Sequence, residues 1–234
     1  MQISSIILSK GCVVKNPFIP QGVIFDFDGV LVDSLALHIK AWQSAYNALF
    51  GSPFQDEWSP EIIGHSTHWI AGFLVKKAHA EGRKDDLILQ KNQFLRQGHA
   101  LAPLLPGALD IMARLRQHRI PYAVASNAPR AFIASTLTGH GLGDVTFFGR
   151  EDYQQPKPSP EPFFKAARFL GVGVGDHEKI VVFEDSTHGL EAALAAGMVA
   201  FGVATQHPAE HLMAAGAHAV CRDLADSLVA RWIP

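Results

Sequence analysis

The sequence predicts an α/β protein with a parallel sheet and a helical insertion, on three observations. Short apolar runs recur and end in polar or turn residues: VIFD at 23–26, PYAVAS at 121–126, KIVVFED at 179–185 and VAFGV at 199–203. Helical patterns separate the later runs. Between the first and second runs lies a long stretch with no convincing strand. Strands alternating with helices form parallel sheets through right-handed crossovers.

Each element has its own reason. The first 20 residues carry two apolar runs, ISSIILS and CVVK, flanking Lys10 and Gly11. That pattern suits a hairpin, with a start lacking fixed structure as the alternative. Residues 35–102 read as helical throughout: long helices over 35–50 and 85–101, shorter ones around 59–63 and 67–80, broken at Gly51-Ser52-Pro53 and Gly82. They form an insert after the first strand, a small lid over the sheet. Residues 21–34 and 103–234 make the sheet core. Over 106–118, Leu109, Met112 and Leu115 recur at spacing three; over 160–170, Phe163, Phe164, Ala167 and Leu170 recur at three and four. An alanine-rich helix over 187–196 stops at Gly197.

The composition narrows the function classes. The chain has 234 residues, 48% hydrophobic and 18% charged, with a formal net charge of -2. It has no long basic run, which argues against nucleic acid as a partner. No apolar stretch reaches membrane-span length, and SSIILS lacks the layout of a secretory signal. Cys12 and Cys221 are far apart and form neither a metal cluster nor a disulfide framework, as expected for a cytoplasmic protein. A monomer is the default expectation.

In a parallel sheet, ligands bind outside the carboxyl ends of the strands. Three predicted strands end there in polar residues: Asp26 and Asp28, then Ser126 and Asn127, then Glu184 and Asp185. Lys157, in QPKPSPEP, is a fourth candidate. Alone, Asp-x-Asp reads as a turn or cap, Ser126-Asn127 and Glu184-Asp185-Ser186 as helix caps, and Lys157 as a solvated charge. Four segments converging on one spot favour a site.

Carboxylates brought together repel and are costly to bury. A divalent cation removes the problem, and Mg2+ prefers oxygen ligands, commonly in the service of a phosphate. Asp26, Glu184 and Asp185 with a backbone carbonyl would suit it, and no His/Cys spacing argues for zinc. Phosphoryl transfer needs an in-line nucleophile, charge neutralisation and donors to the phosphoryl oxygens. Asp26, at a rigid strand end, can be the nucleophile, and Asp28, two residues on, the general acid and base. Gly29 frees the turn so that backbone N–H groups can hold phosphate. Ser126 supplies a hydroxyl, and Lys157, between Pro156 and Pro158, a point charge.

DFDGVLVDS, ASNA, the lysine of QPKPSPEPF and VVFEDSTHGLEAALAAGM, in that order, resemble the four motifs of the haloacid dehalogenase superfamily. The resemblance spans residues 22 to about 232. It implies a Rossmann-like core with a helical cap inserted after the first motif. It also implies Asp26 as nucleophile, Asp28 as acid/base, Ser126 and Lys157 as phosphate ligands, and a magnesium site. Asp26, the carbonyl of Asp28 and Asp185 would ligate the metal, with Glu184 directly or through water. The second aspartate points to the phosphatases and phosphomutases of that superfamily, since the dehalogenases lack it.

Asp33, Ser34, His38, Ala41 and Trp42 resemble the branch of β-phosphoglucomutase and small sugar-phosphate phosphatases. Residues 63–68 align in part with a cap motif that in the mutase carries an arginine for the second phosphate; here Thr67 occupies that place. Lys91-Asn92 matches a cap lysine-asparagine pair. His38, His65, Thr67 and Lys91, with Gly29 and Asn127, are thus candidate substrate contacts. A surface or capping role is the alternative for His65, a packed helix residue for His38, and His188 is expected to face solvent or cap its helix. The expected function is a magnesium-dependent phosphatase acting on a small phosphorylated metabolite. A β-phosphoglucomutase-type mutase and a non-catalytic phosphate-binding protein are the rivals. The missing arginine favours the phosphatase.

Overall fold

The computed structural model describes residues 19–63, 65–97 and 101–233, and before them two short strands, β1 (Ile6–Ile7) and β2 (Val13–Val14). These two pair antiparallel, Ile6 with Val14 and Ile7 with Val13. Lys10, Gly11 and Cys12 lie outside the described residues, as does Gly64.

From Gly22 the elements run β3 (Gly22–Phe25), α1 (Leu35–Phe50), α2 (Trp58–Ile62), α3 (Thr67–Lys77), α4 (Lys84–Gln97), α5 (Ala108–Gln117), β4 (Tyr122–Ala125) and α6 (Arg130–Gly139). They continue as β5 (Phe147–Phe148), α7 (Glu161–Phe169), β6 (Ile180–Glu184), α8 (Thr187–Ala195), β7 (Val199–Val203), α9 (Ala209–Ala214), β8 (Ala219–Cys221) and α10 (Val229–Trp232). The chain divides into two compact units, with the boundaries after Asp33 and after Ala102.

The sheet unit is built on six parallel strands in the order β5-β4-β3-β6-β7-β8. β3, β6 and β7 are buried along their whole length, which is why they read as continuous apolar runs rather than alternating ones. On one face, Ile24, Ala123, Ala125, Val182 and Ala200 pack with Phe163, Ala166 and Ala167 of α7 and with Leu190, Ala192 and Ala193 of α8. On the other, Phe25, Phe183 and Phe201 lie level with each other on adjacent strands, Phe25 stacked on Phe183 at a ring separation of 5.4 Å and Phe183 tilted by 40° against Phe201 at 5.1 Å. The edge strands β5 and β8 follow no run singled out in the sequence. They are two and three residues long, too short to show a pattern.

Two helix stripes differ from the expected ones. In α5 the buried face is Ala108, Ile111, Met112 and Leu115, a full i, i+3, i+4, i+7 stripe, and Leu109 stands exposed beside it. In α7 it is Pro162, Phe163, Ala166 and Ala167, and Phe164 is exposed. The larger side chain does not decide burial; the 3.6-residue period does.

The second unit is helical. Trp42, Ala45 and Tyr46 of α1, Ile70, Ala71, Leu74 and Val75 of α3 and Leu87 of α4 form its core with Phe54 and Ile62. Tyr46 and Trp58 meet edge to face at 5.3 Å, and Phe54 and Trp58 at 5.2 Å. α1 ends at Gly51, whose φ of 65° is the left-handed conformation glycine takes at no steric cost. The helix expected over 85–101 is described as α4 from Lys84 to Gln97; residues 98–100 lie outside the described residues, and Leu101 is not helical. No helix among the described residues is long and apolar enough to cross a membrane.

Candidate active site

Strand order decides where a ligand can sit. From the central β3 the chain moves outward to β4 and β5, then returns to β6 on the other side of β3. A parallel sheet opens a crevice at such a reversal, outside the carboxyl ends of its strands. Those ends carry Asp26 after β3, Ser126 after β4, and Glu184 with Asp185 at β6.

Register brings the acids together. Ile24 pairs with Val182, so two residues on, Asp26 and Glu184 emerge level and on the same face. The Asp26 N–H continues the ladder by donating to the Phe183 carbonyl at 2.9 Å. Asp26, Glu184 and Asp185 are all buried, and one oxygen from each lies within 4.8 Å of the others. Phe25 pairs with Val124, so Ser126 leaves the adjacent strand close to the level of Asp26.

Lys157 reaches this cluster from the β5–α7 segment. Its Nζ donates to Asp26 Oδ1 at 2.7 Å and to Glu184 Oε1, and lies 4.7 Å from the Phe163 ring centroid. Burial works against its charge, but the Asp26 and Glu184 carboxylates outweigh that and hold the ammonium above its usual range. Burial lifts Asp26 from 3.8 to about 7 against the pull of Lys157, with Glu184 and Asp28 adding to the rise. Asp185 is pushed well up for the same first reason, then by Asp26, Glu184 and Asp28.

The acids and this lysine do not balance. Three buried carboxylates against one ammonium leave two formal negative charges, which one divalent cation would match. The backbone leaves room for close approach. Gly29 has a φ of 71°, and a Cβ there would lie 1.9 Å from Asp185 Oδ2. A Cβ on Gly189 would lie 1.9 Å from the Glu184 carboxyl carbon. The residues therefore fit a hard cation with oxygen ligands, and holding Asp26 as a carboxylate is what such a cation would do.

Capping does not account for the acids. Ser186 caps α8, accepting from Gly189 N at 3.1 Å and donating to Glu184 Oε2, also at 3.1 Å. Nor does Ser126 cap α6, which starts at Arg130; its Oγ accepts from Ala128 N at 3.2 Å. Asp28 is partly buried and bridges to Val32. Asn127 is exposed, yet its side-chain amide meets the backbone of Lys157 on both sides, Oδ1 to N at 3.1 Å and Nδ2 to O at 3.4 Å.

The remaining candidates belong to the helical unit. Lys91 is buried on the same stripe of α4 as Leu87 and Leu95, its Nζ 5.5 Å from the Trp42 ring centroid. Trp42 is 2% exposed, a core residue. Thr67 opens α3 after the cap Ser66, and His65 is exposed and stacks on Trp69 at 3.7 Å. His38 is half-buried on α1; His188, in the sheet unit rather than the helical one, is exposed on α8.

Two contributors escaped the sequence reading. Tyr153 is buried, and its hydroxyl lies 2.6 Å from the Ser126 carbonyl and 2.9 Å from Asn127 Oδ1. Thr205, just past β7, donates to the Gly29 carbonyl at 2.5 Å. The rule that found the other strand ends, polar residues after an apolar run, finds Thr205 when applied to VAFGV-ATQ.

Residues 23–203 match the model of a family described as haloacid dehalogenase-like hydrolase. β-Phosphoglucomutase of Bacillus subtilis is 30% identical over 80% of this chain and 85% of its own. Fructose-1-phosphate phosphatase YqaB of Escherichia coli is 30% identical over 78% of this chain and 95% of its own. The crystal structure of β-phosphoglucomutase from Clostridium difficile superposes with a TM-score of 0.72 at 20% identity, over 92% of this chain and 97% of that one.

Proposed function

The chain belongs to the haloacid dehalogenase-like hydrolase family, and from that premise we propose that it is a magnesium-dependent phosphatase of small phosphomonoesters, sugar phosphates among them. One observation carries the reading. Lys157 is shared between Asp26 and Glu184 at adjacent strand ends, and the acids around it still exceed it in charge. Such a spot suits a phosphoryl group and a divalent cation together.

Asp26 is the nucleophile. Its carboxylate oxygen attacks phosphorus, and the ester oxygen leaves with the proton Asp28 supplies. Asp28, now a carboxylate, takes a proton from water, whose oxygen attacks the phosphorus of the aspartyl phosphate. Inorganic phosphate leaves and Asp26 is restored. Lys157 and Ser126 hold the phosphoryl oxygens, and the Gly29 turn adds backbone donors. Asp26, Asp185 and the Asp28 carbonyl, with Glu184 directly or through water, would hold the magnesium, which when bound neutralises charge on the phosphoryl oxygens.

The helical unit selects the substrate in this reading, through Lys91, His65, Thr67 and His38. In this reading Lys91, the match to the cap lysine of the mutase branch, brings a positive charge to the helical unit. The protein works as a cytoplasmic monomer. The mutase is the second reading, favoured by the Bacillus subtilis relative at the same 30% identity as the phosphatase. Thr67 at the place of the mutase arginine argues against it.

The test is phosphate release from a panel of sugar phosphates, phosphoglycolate and nucleotides, with magnesium and with chelator. Release that requires magnesium is expected; no release from any ester refutes the reading. On β-glucose 1-phosphate, free phosphate marks the phosphatase and glucose 6-phosphate without release marks the mutase.

A further inference from the structure

The ammonium of Lys157 sits at the end of a flexible stem, yet it must lie between two buried carboxylates of separate strands. A side chain with four rotatable carbon bonds does not fix such a point by itself. Its backbone has to be held first. The flanking prolines limit the segment but supply no donors of their own.

Asn127 supplies the hold. Its Oδ1 accepts the Lys157 N–H at 3.1 Å, and its Nδ2 donates to the Lys157 carbonyl at 3.4 Å. A primary amide pairing with both polar groups of one residue grips it as a neighbouring strand would. The pairing also fixes the amide orientation, because only the oxygen can meet an N–H. Tyr153 holds the amide in turn. Its single hydroxyl proton is shared between the Ser126 carbonyl at 2.6 Å and Asn127 Oδ1 at 2.9 Å. The phenol is 6% exposed, and burial keeps it protonated and a donor. The 3₁₀ turn Arg150–Asp152 delivers it, anchored by Asp152 Oδ2 on the Gly149 N–H at 2.9 Å.

Neither residue carries a charge, and both lie between the end of β4 and the Lys157 segment. We propose that Asn127 and Tyr153 are positioning residues: together they lock the backbone of Lys157 to the end of β4 and so place its Nζ between Asp26 and Glu184. Their effect on rate rests on the phosphatase reading; their effect on the lysine does not. The amide of Asn127 serves the lysine before it serves a substrate.

The test uses the full chain with Asn127→Ala, Tyr153→Phe and the double variant, in two readouts. The first is the nitrogen-15 signal of the Lys157 ammonium, assigned by its loss in Lys157→Arg. Buried between carboxylates, it is expected to exchange slowly in the wild type, and to shift and exchange faster in both variants. The second is kinetics with magnesium on the ester the wild type hydrolyses fastest. Tyr153→Phe is expected to lower kcat about three- to tenfold, the scale of one neutral hydrogen bond. Asn127→Ala is expected to lower it about 10- to 100-fold, the scale of a misplaced group, with KM within about threefold. The double variant should match Asn127→Ala, because the two act through one contact.

An unmoved lysine signal, multiplying losses in the double variant, or a loss confined to KM overturns the proposal. Tyr153→Phe keeps the ring and carries the test alone if Asn127→Ala does not fold. A wild type that hydrolyses no ester refutes the phosphatase reading by itself, and the lysine signal then decides the clamp.

Discussion

The two units each bury a lysine, and the two are held in different ways. In the sheet unit, Lys157 faces the carboxylates of Asp26 and Glu184 on adjacent strands, whose register sets its partners. In the helical unit, Lys91 lies on an apolar stripe with its ammonium over the Trp42 ring. A buried charge among carboxylates belongs to fixed chemistry, because strand register and hydrogen bonds leave it one place. The proposed function places the reaction in the first unit and the choice of substrate in the second.

This contrast breaks most readily at the strand ends. Asp26→Asn keeps the shape and removes the nucleophile, and turnover is expected to fall about 10⁴-fold or more. Asp28→Asn is expected to cost about 10²–10⁴-fold, the scale of a general acid/base. Steady-state kinetics on the same ester checks both, and near-wild-type rates in either would remove the assigned role.

Lys157→Met tests the ion pairs as structure. It leaves Asp26 and Glu184 without their cation, a loss of about 3–5 kcal/mol when one partner of a buried pair goes. Urea unfolding in chelator measures it, and an unchanged midpoint would mean the pairs contribute little.

The same acids predict a pH effect of definite sign. Burial raises Asp26 from 3.8 to about 7 in the folded protein and lifts Asp185 in the same direction. A folded state that holds protons the unfolded state has lost is stabilised at low pH. In chelator, that contribution is present below about pH 4 and is lost as pH rises through about 7. Magnesium favours the ionised form and should flatten the slope. Unfolding midpoints from pH 4 to 7.5 with and without the ion decide it; a rise in the metal-free midpoint attributable to these acids contradicts the account.

Smaller effects are expected in the helical unit. Thr67→Ala and His65→Ala should change kcat by less than about tenfold while reordering the preferred esters of the panel. Equal losses on every ester would place these residues in the reaction rather than in selection.

The strand ends were legible in the sequence because a parallel strand buried on both faces is a continuous apolar run. A carboxylate closing such a run stands out, as Asp26, Glu184 and Asp185 do. Tyr153 was not legible. One aromatic in a polar loop has no period, and its partners are the carbonyl of Ser126 and the side chain of Asn127, 26 residues or more away. β5 escaped because two half-buried residues at a sheet edge carry no run to read. In α7, Phe164 drew more notice than Ala166, although the helical period favours the smaller residue.

The central claim is that Asp26 carries the phosphoryl group. The direct measurement is mass spectrometry of the peptide spanning residues 23–34, after acid quench during turnover with magnesium and a hydrolysed ester. The account predicts the mass of one phosphoryl group on Asp26, absent in Asp26→Asn. Turnover with that peptide unmodified, or with the group on another residue, would contradict it.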